Sequence, residues 1–230
     1  MGGFAGSRRE SADSLFRAVV AVDPTRPLLT WYDDATGERT ELSGATLDNW
    51  VAKTANLLVD GCGLGPGDRA AVLLPPHWQT AAVLLGCWSA GLSFVAPGPA
   101  EVVFATADRI AEAPEAPDRF VLGLLPMAQP LRAVPDGFAD YVSEVRVHGD
   151  RFPGGGTAAG GELVARARSR AAELGLGPDD RVLVDAAAHP DPVDWLLTPF
   201  AAGATTVLCG QLDPARVQAR VEAERVTRVW

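Results

Sequence analysis

The spacing of apolar residues changes period several times along the chain, and each change marks an element. Residues 11–22 carry apolar side chains at helical spacing and predict a short helix. Two short runs, 28–32 and 39–42, flank Asp33-Asp34-Ala35-Thr36-Gly37-Glu38, whose polar and glycine content predicts a hairpin turn. Ser43 is placed to cap a longer helix in which Leu47, Trp50, Val51, Thr54, Leu57 and Leu58 fall on one stripe. The run Gly63-Leu64-Gly65-Pro66 stops that helix, because glycine tolerates left-handed φ and proline cannot continue the hydrogen-bond ladder. A buried-type strand (69–74), a polar turn, an apolar helix (78–90) ended by Gly91 and a strand at 93–95 follow.

The same order then returns. Gly63-Leu64-Gly65-Pro66-Gly67-Asp68-Arg69 recurs as Gly175-Leu176-Gly177-Pro178-Asp179-Asp180-Arg181, a constant offset of 112 residues. The register holds without a gap through His77/His189, Leu84/Leu196, Leu85/Leu197, Ala90/Ala202, Gly91/Gly203 and Val95/Val207. The 13 identities in these 33 positions read as a duplicated unit. The second copy predicts a helix at 162–174, a strand at 181–184, a helix at 192–202 and a strand at 205–208. Between the copies lie strands at 102–105 and 120–124, a short helix near 108–113, a proline-bearing loop at 126–135 and a glycine-rich flexible loop at 151–161. A helix at 214–224 and a strand at 226–230 complete the pattern.

Strand–helix–strand units with nearly continuous apolar strands imply right-handed crossovers. The expected fold class is therefore α/β, with duplicated units giving largely parallel sheets covered by helices. Residues 1–110 form the first half, with the N-terminal helix and hairpin; residues 111–230 form the second, and the two pack as one compact unit.

Charge and composition narrow the chemistry. No apolar run approaches the ~20 residues that cross a bilayer, and Arg8 and Arg9 are followed by no apolar block, so the cytoplasm is the expected address. A formal charge of −9 without a basic cluster argues against nucleic acid or an anionic membrane as partner. Of the 20 basic residues Lys53 is the only lysine. Cys62, Cys87 and Cys209 show no paired spacing and read as reduced, mostly buried thiols. The three histidines are equally scattered, so no metal site is expected.

Several runs resemble the beginning of an adenylate-forming enzyme: Leu29-Thr30-Trp31-Tyr32-Asp33 with its hairpin, the Ser43-led helix, residues 63–76 (GLGPGDRAAVLLPP), the helix ending in Ala90-Gly91, and Phe94-Val95-Ala96-Pro97. That superfamily includes acyl-CoA synthetases, peptide-synthetase adenylation domains and luciferases. The second unit, with His189 and Ala202-Gly203-Ala204-Thr205-Thr206-Val207-Leu208, resembles the next part of the same large domain. The chain is also similar to a group of short actinobacterial proteins distantly related to these enzymes. In the family, an acyl carboxylate attacks the α-phosphate of ATP, and a Ser/Thr/Gly loop ending in Pro-Lys-Gly cradles the phosphates. Where the resemblance places that loop stands Tyr141-Val142-Ser143-Glu144-Val145-Arg146-Val147-His148-Gly149-Asp150-Arg151-Phe152-Pro153, with two carboxylates and no lysine. The family's adenine, ribose and magnesium motifs and its catalytic lysine lie beyond the matched region, so no residue here takes those roles.

Few residues remain as candidates. Asp185 and His189 lie at and just past the carboxyl end of a predicted parallel strand, where open α/β sheets collect ligands, and the resemblance places His189 beside an acyl pocket. His77 is its counterpart in the first unit, and a helix-cap role fits both histidines. Gly154-Gly155-Gly156-Thr157 before a helix lacks the Gly-Lys-Ser/Thr of a phosphate loop and reads as linker. Asp68-Arg69 and Asp180-Arg181 read as ion pairs or turn caps. Trp50, Trp78, Trp88 and Trp195 read as core.

The favoured expectation is a catalytically degenerate adenylate-forming-like domain, a binding, regulatory or partner-docking module with no catalytic residue and no cofactor. The alternative is an AMP-forming acyl-activating ligase using an unrecognised phosphate site of Arg146, His148 and Arg151, or a second chain; only then do ATP or AMP and magnesium enter. A third reading is a homodimer or other protein complex built on the edge strand at 226–230.

Overall fold

The structure, a computed structural model, describes residues 10–94, 98–154 and 158–230. Val95 of the first unit's last strand, and Gly155, Gly156 and Thr157 of the glycine run, lie outside the described residues.

Local chemistry sets the first half. Helix α1 (Ala12–Val22) begins at a capping box in which the Ser14 N–H donates to Ser11 Oγ while Ser14 Oγ accepts from the Ser11 N–H. Strands β1 (Pro27–Asp33) and β2 (Glu38–Ser43) form the expected antiparallel hairpin. Ser43 Oγ accepts from the Thr46 N–H and opens α2 (Gly44–Asn56), which a π-helical turn, Leu57–Gly61, prolongs. Strand β3 (Arg69–Leu73) leads to α3 (Trp78–Ala90), all of whose residues are buried. A helix apolar all round belongs in the middle of a core. Gly91, at φ 88°, terminates α3 in the left-handed conformation that glycine adopts without strain.

Strands β4 (Ser93–Phe94), β5 (Val102–Thr106), β6 (Asp118–Leu122) and β7 (Ala139–Asp140) follow. Then come two helices, α4 (Tyr141–Val145) and α5 (Gly161–Glu173), and strand β8 (Arg181–Asp185). The helix expected at 192–202 begins as a π-helical turn, Val193–Leu197, and continues as α6 (Thr198–Ala201). Strand β9 (Thr205–Gly210), helix α7 (Val217–Glu224) and the two-residue strand β10 (Arg228–Val229) complete the described chain.

The strands make two five-stranded sheets. One, ordered β4-β3-β5-β6-β7, is parallel throughout. The other, β10-β8-β9-β1-β2, is parallel except for the hairpin edge β2. The hairpin therefore joins a sheet whose other strands come from the end of the chain. Successive strand residues point to opposite faces. Val102, Phe104, Val182, Val184 and Leu208 enter one large core with α1, α2 and α3, while Val103, Ala105, Leu183 and Val207 enter small cores on the far faces. At the α2–α3 crossing, a Cβ added to Gly86 would stand 2.5 Å from Thr54 Cβ.

The two Asp-Arg pairs resolve unequally. Asp68 and Asp180 are turn caps, accepting from the Gly65 and Gly177 N–H groups at 2.8 and 2.9 Å. Their neighbouring arginines reach other carboxylates: Arg69 pairs with Glu101 and Arg181 with Glu224. Asp180's acid–base contact is with Arg228. Trp78, Trp88 and Trp195 are core; Trp50 is half-buried against Trp78.

Candidate functional site

The sequence-derived candidates fall into three surroundings. Among the described residues, one backbone bond, from the His189 N–H to Asp185 O, joins two of them, and no side-chain hydrogen bond or ion pair does.

His77 stands at the N-terminus of α3. Its Nδ1 accepts the Gln79 N–H at 3.1 Å, the side-chain cap that its position suggested. Its ring packs edge-on against Trp31, 4.5 Å between centroids, and only 3% of the residue is exposed. Burial pushes its pKa down to about 3, because a charged imidazolium would lose its hydration there.

Asp185 and His189 share a turn past the end of β8. Asp185 Oδ1 accepts the Ala187 N–H at 2.9 Å, and the His189 N–H closes the turn onto the Asp185 carbonyl. The His189 ring lies 4.9 Å from that of Trp230, which also has the Arg170 guanidinium 5.4 Å from its ring centroid. His189 Nδ1 approaches Asp194 at 3.9 Å, too far for a hydrogen bond.

Arg146, His148 and Arg151 belong to the segment that follows β7. Asp140 Oδ1 accepts the Ser143 N–H and starts α4, and Tyr141 is sealed inside with its hydroxyl 2.6 Å from Thr54 Oγ1. Beyond α4 the backbone presents carbonyls to side chains of α1 and α2. Lys53 Nζ donates to His148 O at 2.6 Å and lies 3.4 Å from Arg146 O, and it pairs with Asp150 Oδ1 at 2.8 Å. Asn56 Nδ2 donates to Gly149 O and Arg151 O at 2.9 and 3.0 Å. Arg17, held by Asp13, donates to Phe152 O at 3.2 Å. Arg146 turns its own guanidinium onto Ala128 O at 2.7 Å. Five carbonyls thus accept from three side chains that sequence reasoning did not single out as site residues. The one visible signal was that Lys53 is the chain's sole lysine.

A cavity of about 300 Å³ opens between the two units, walled by Leu74, Thr80, Trp88, Leu163 and Trp195. A wider groove of about 910 Å³ adjoins it, sharing Trp88, Phe94 and Leu163 and reaching Glu10 and Arg168 at its rim. The polar groups at the cavity are engaged locally: Thr80 Oγ1 donates to Pro75 O, and Asp191 accepts from Arg166 and the Val193 N–H. Buried Trp195 Nε1 has no hydrogen-bond partner among the described residues. Among those residues no group of three or more His, Cys, Asp or Glu side chains is arranged to hold a metal ion, and no helix is long and apolar enough to cross a membrane.

Two sheets enclosing a helical core, with a cleft between the βαβ units, make this an adenylate-forming enzyme-like N-terminal domain. The family model described as AMP-binding enzyme matches residues 16–112. The fold agrees with the crystal structure of a Brucella canis acyl-CoA synthetase, at a TM-score of 0.74 and 20% identity over 98% of this chain and 48% of that one. The chain thus spans about half of that enzyme's length. A rat mitochondrial acyl-coenzyme A synthetase, ACSM2, is 41% identical over 70 residues, 30% of this chain and 12% of its own. More specifically, the chain belongs to the TIGR03089 family: a Mycobacterium tuberculosis protein of that description is 46% identical over 94% of this chain and 95% of its own length.

Proposed function

We propose that this chain is a catalytically degenerate adenylate-forming-like domain, a non-enzymatic module that binds an apolar ligand or a partner at the cleft between its two βαβ units. The observation that carries the reading is the polarity of residues 146–152. A phosphate grip needs converging N–H donors and a free cation. This segment turns carbonyls inward, and Lys53, Asn56 and Arg17 are engaged by them. Removing one well-placed donor from an oxyanion-stabilising site costs on the order of 10²–10³ in rate, so a segment with its polarity reversed gives no useful acceleration. The mostly apolar walls of the cavity favour a ligand with a compact hydrophobic portion.

The constant offset between residues 63–95 and 175–207 supports descent of the two units from one duplicated element. The reading of Arg146, His148 and Arg151 as a phosphate site draws less support, since Arg146 is tied to Ala128 O. The test is ATP–pyrophosphate exchange with a panel of aliphatic and aromatic carboxylic acids. No magnesium-dependent exchange above the no-protein control is expected. Robust exchange with any acid overturns the proposal.

A further inference from the structure

Arginine supplies positive charge everywhere in this chain except at Lys53. That exception coincides with an unusual set of acceptors. The Lys53 ammonium is approached by His148 O at 2.6 Å, Asp150 Oδ1 at 2.8 Å and Arg146 O at 3.4 Å, three oxygens supplied by alternate residues of one short turn. The side chain is 22% exposed, so this is a half-buried charge and not a waving surface lysine.

Arginine does not suit such a place. Its guanidinium is a planar fork with donors spread along its edges, whereas an ammonium is a compact charge that can meet acceptors from several directions. Two carbonyls and one carboxylate bring a single formal negative charge. That charge matches a monovalent cation, and three acceptors match the N–H donors of an ammonium, while a bare ion of the same size would complete its shell with water. The cluster also has support that does not depend on Lys53. Asn56 holds Gly149 O and Arg151 O, the His148 N–H bonds to Val145 O, and Arg17 holds Phe152 O. The backbone that carries the two carbonyls is therefore held by bonds other than those of the ammonium.

We propose that residues 146–150 form a monovalent-cation site of ammonium or potassium size, filled in this protein by its own Lys53 ammonium. The tethered cation fixes the conformation of the 146–152 segment without any ion from solution.

The experiment uses the full chain and its Lys53→Ala and Lys53→Arg variants. Thermal unfolding is followed in the chlorides of ammonium, potassium, lithium and tetramethylammonium at matched ionic strength. The Ala variant should melt below the unsubstituted protein in tetramethylammonium. Ammonium or potassium should restore at least half of the loss, saturably, with lithium well behind and no such selectivity in the unsubstituted protein. The Arg variant should lose stability too, and potassium should not restore it. Equal responses to all four cations, or an Arg variant as stable as the parent, overturn the proposal. If the Ala variant is unfolded in every salt, Asp150→Asn decides. It should lower the midpoint in the Lys53 protein and much less in the Lys53→Arg protein; equal losses in both overturn the site.

Discussion

His77 gives a pH dependence that can be worked out in advance. In the unfolded chain its imidazole titrates near 6.5, and in the folded protein burial lowers that to about 3. Above pH 6.5 both states are neutral at this residue, and it contributes nothing to the pH slope. As the pH falls below 6.5 the unfolded chain takes up a proton that the folded protein refuses, so stability is lost progressively until pH approaches 3. Linkage puts the loss at about 2 kcal/mol at pH 5 and roughly 4 kcal/mol near pH 3. Urea unfolding at pH 7, 6 and 5 measures it, in a range where carboxylates add little. The control is His77→Asn, which keeps a capping acceptor for the Gln79 N–H and removes the titration. The variant is less stable at pH 7 because the ring between Trp31 and Trp78 is gone. Its stability should nevertheless fall by about 2 kcal/mol less than the parent's between pH 7 and 5. Parallel slopes would mean that His77 meets water, and the buried-cap account would fail.

Two further substitutions probe the packing and charge burial of the same framework. Gly86→Ala pushes a methyl against Thr54 at 2.5 Å; overpacking costs about 1–3 kcal/mol, of which the better helix propensity of alanine recovers about 1 kcal/mol. A lower urea midpoint at pH 7 is expected, and a raised one, which is the helix-propensity gain without the clash, refutes the close α2–α3 crossing. Arg220→Ala takes from Asp34, whose side chain is only 4% exposed, the hydrogen bond that first holds its pKa down, leaving it the Asp213 N–H and the more exposed Arg216 at 3.5 Å. Leaving a buried charge uncompensated costs about 3–5 kcal/mol, and the partners that remain to Asp34 put the expected loss below that range. The acid-unfolding midpoint should also rise, because the variant enters the acid range with less stability left to lose; an unmoved midpoint counts against the pair.

Element order was legible because its signals are local. Ser11 and Ser43 cap the helices they precede, and Gly91 stops α3 at the residue the pattern indicates. Partner choice was not legible. Nothing in Leu29–Asp33 names Thr206–Gly210 as its parallel neighbour, since the alternation that makes a strand says which face is apolar and not which strand lies beside it. The Asp-Arg motifs show the same boundary. The aspartates cap their own turns, a contact three residues long, while Arg69 and Arg181 find carboxylates 32 and 43 residues away. At the candidate site the absence of a Pro-Lys-Gly loop could be read directly. The α4 turn and the donors that hold the following segment could not, because Lys53, Asn56 and Arg17 come from helices formed about a hundred residues earlier.

The placement of β1 between β2 and β9 bears on how the molecule comes into being. A ribosome delivers the hairpin by Ser43 and reaches Thr205 only later; at 5–20 residues per second that is a wait on the order of ten seconds or more. Throughout it, one flank of an apolar strand has no neighbour to bond. An isolated two-stranded ribbon is marginal in water, so the nascent hairpin depends on α2 and α3 for cover, or on a chaperone, until the late strand arrives to close the sheet.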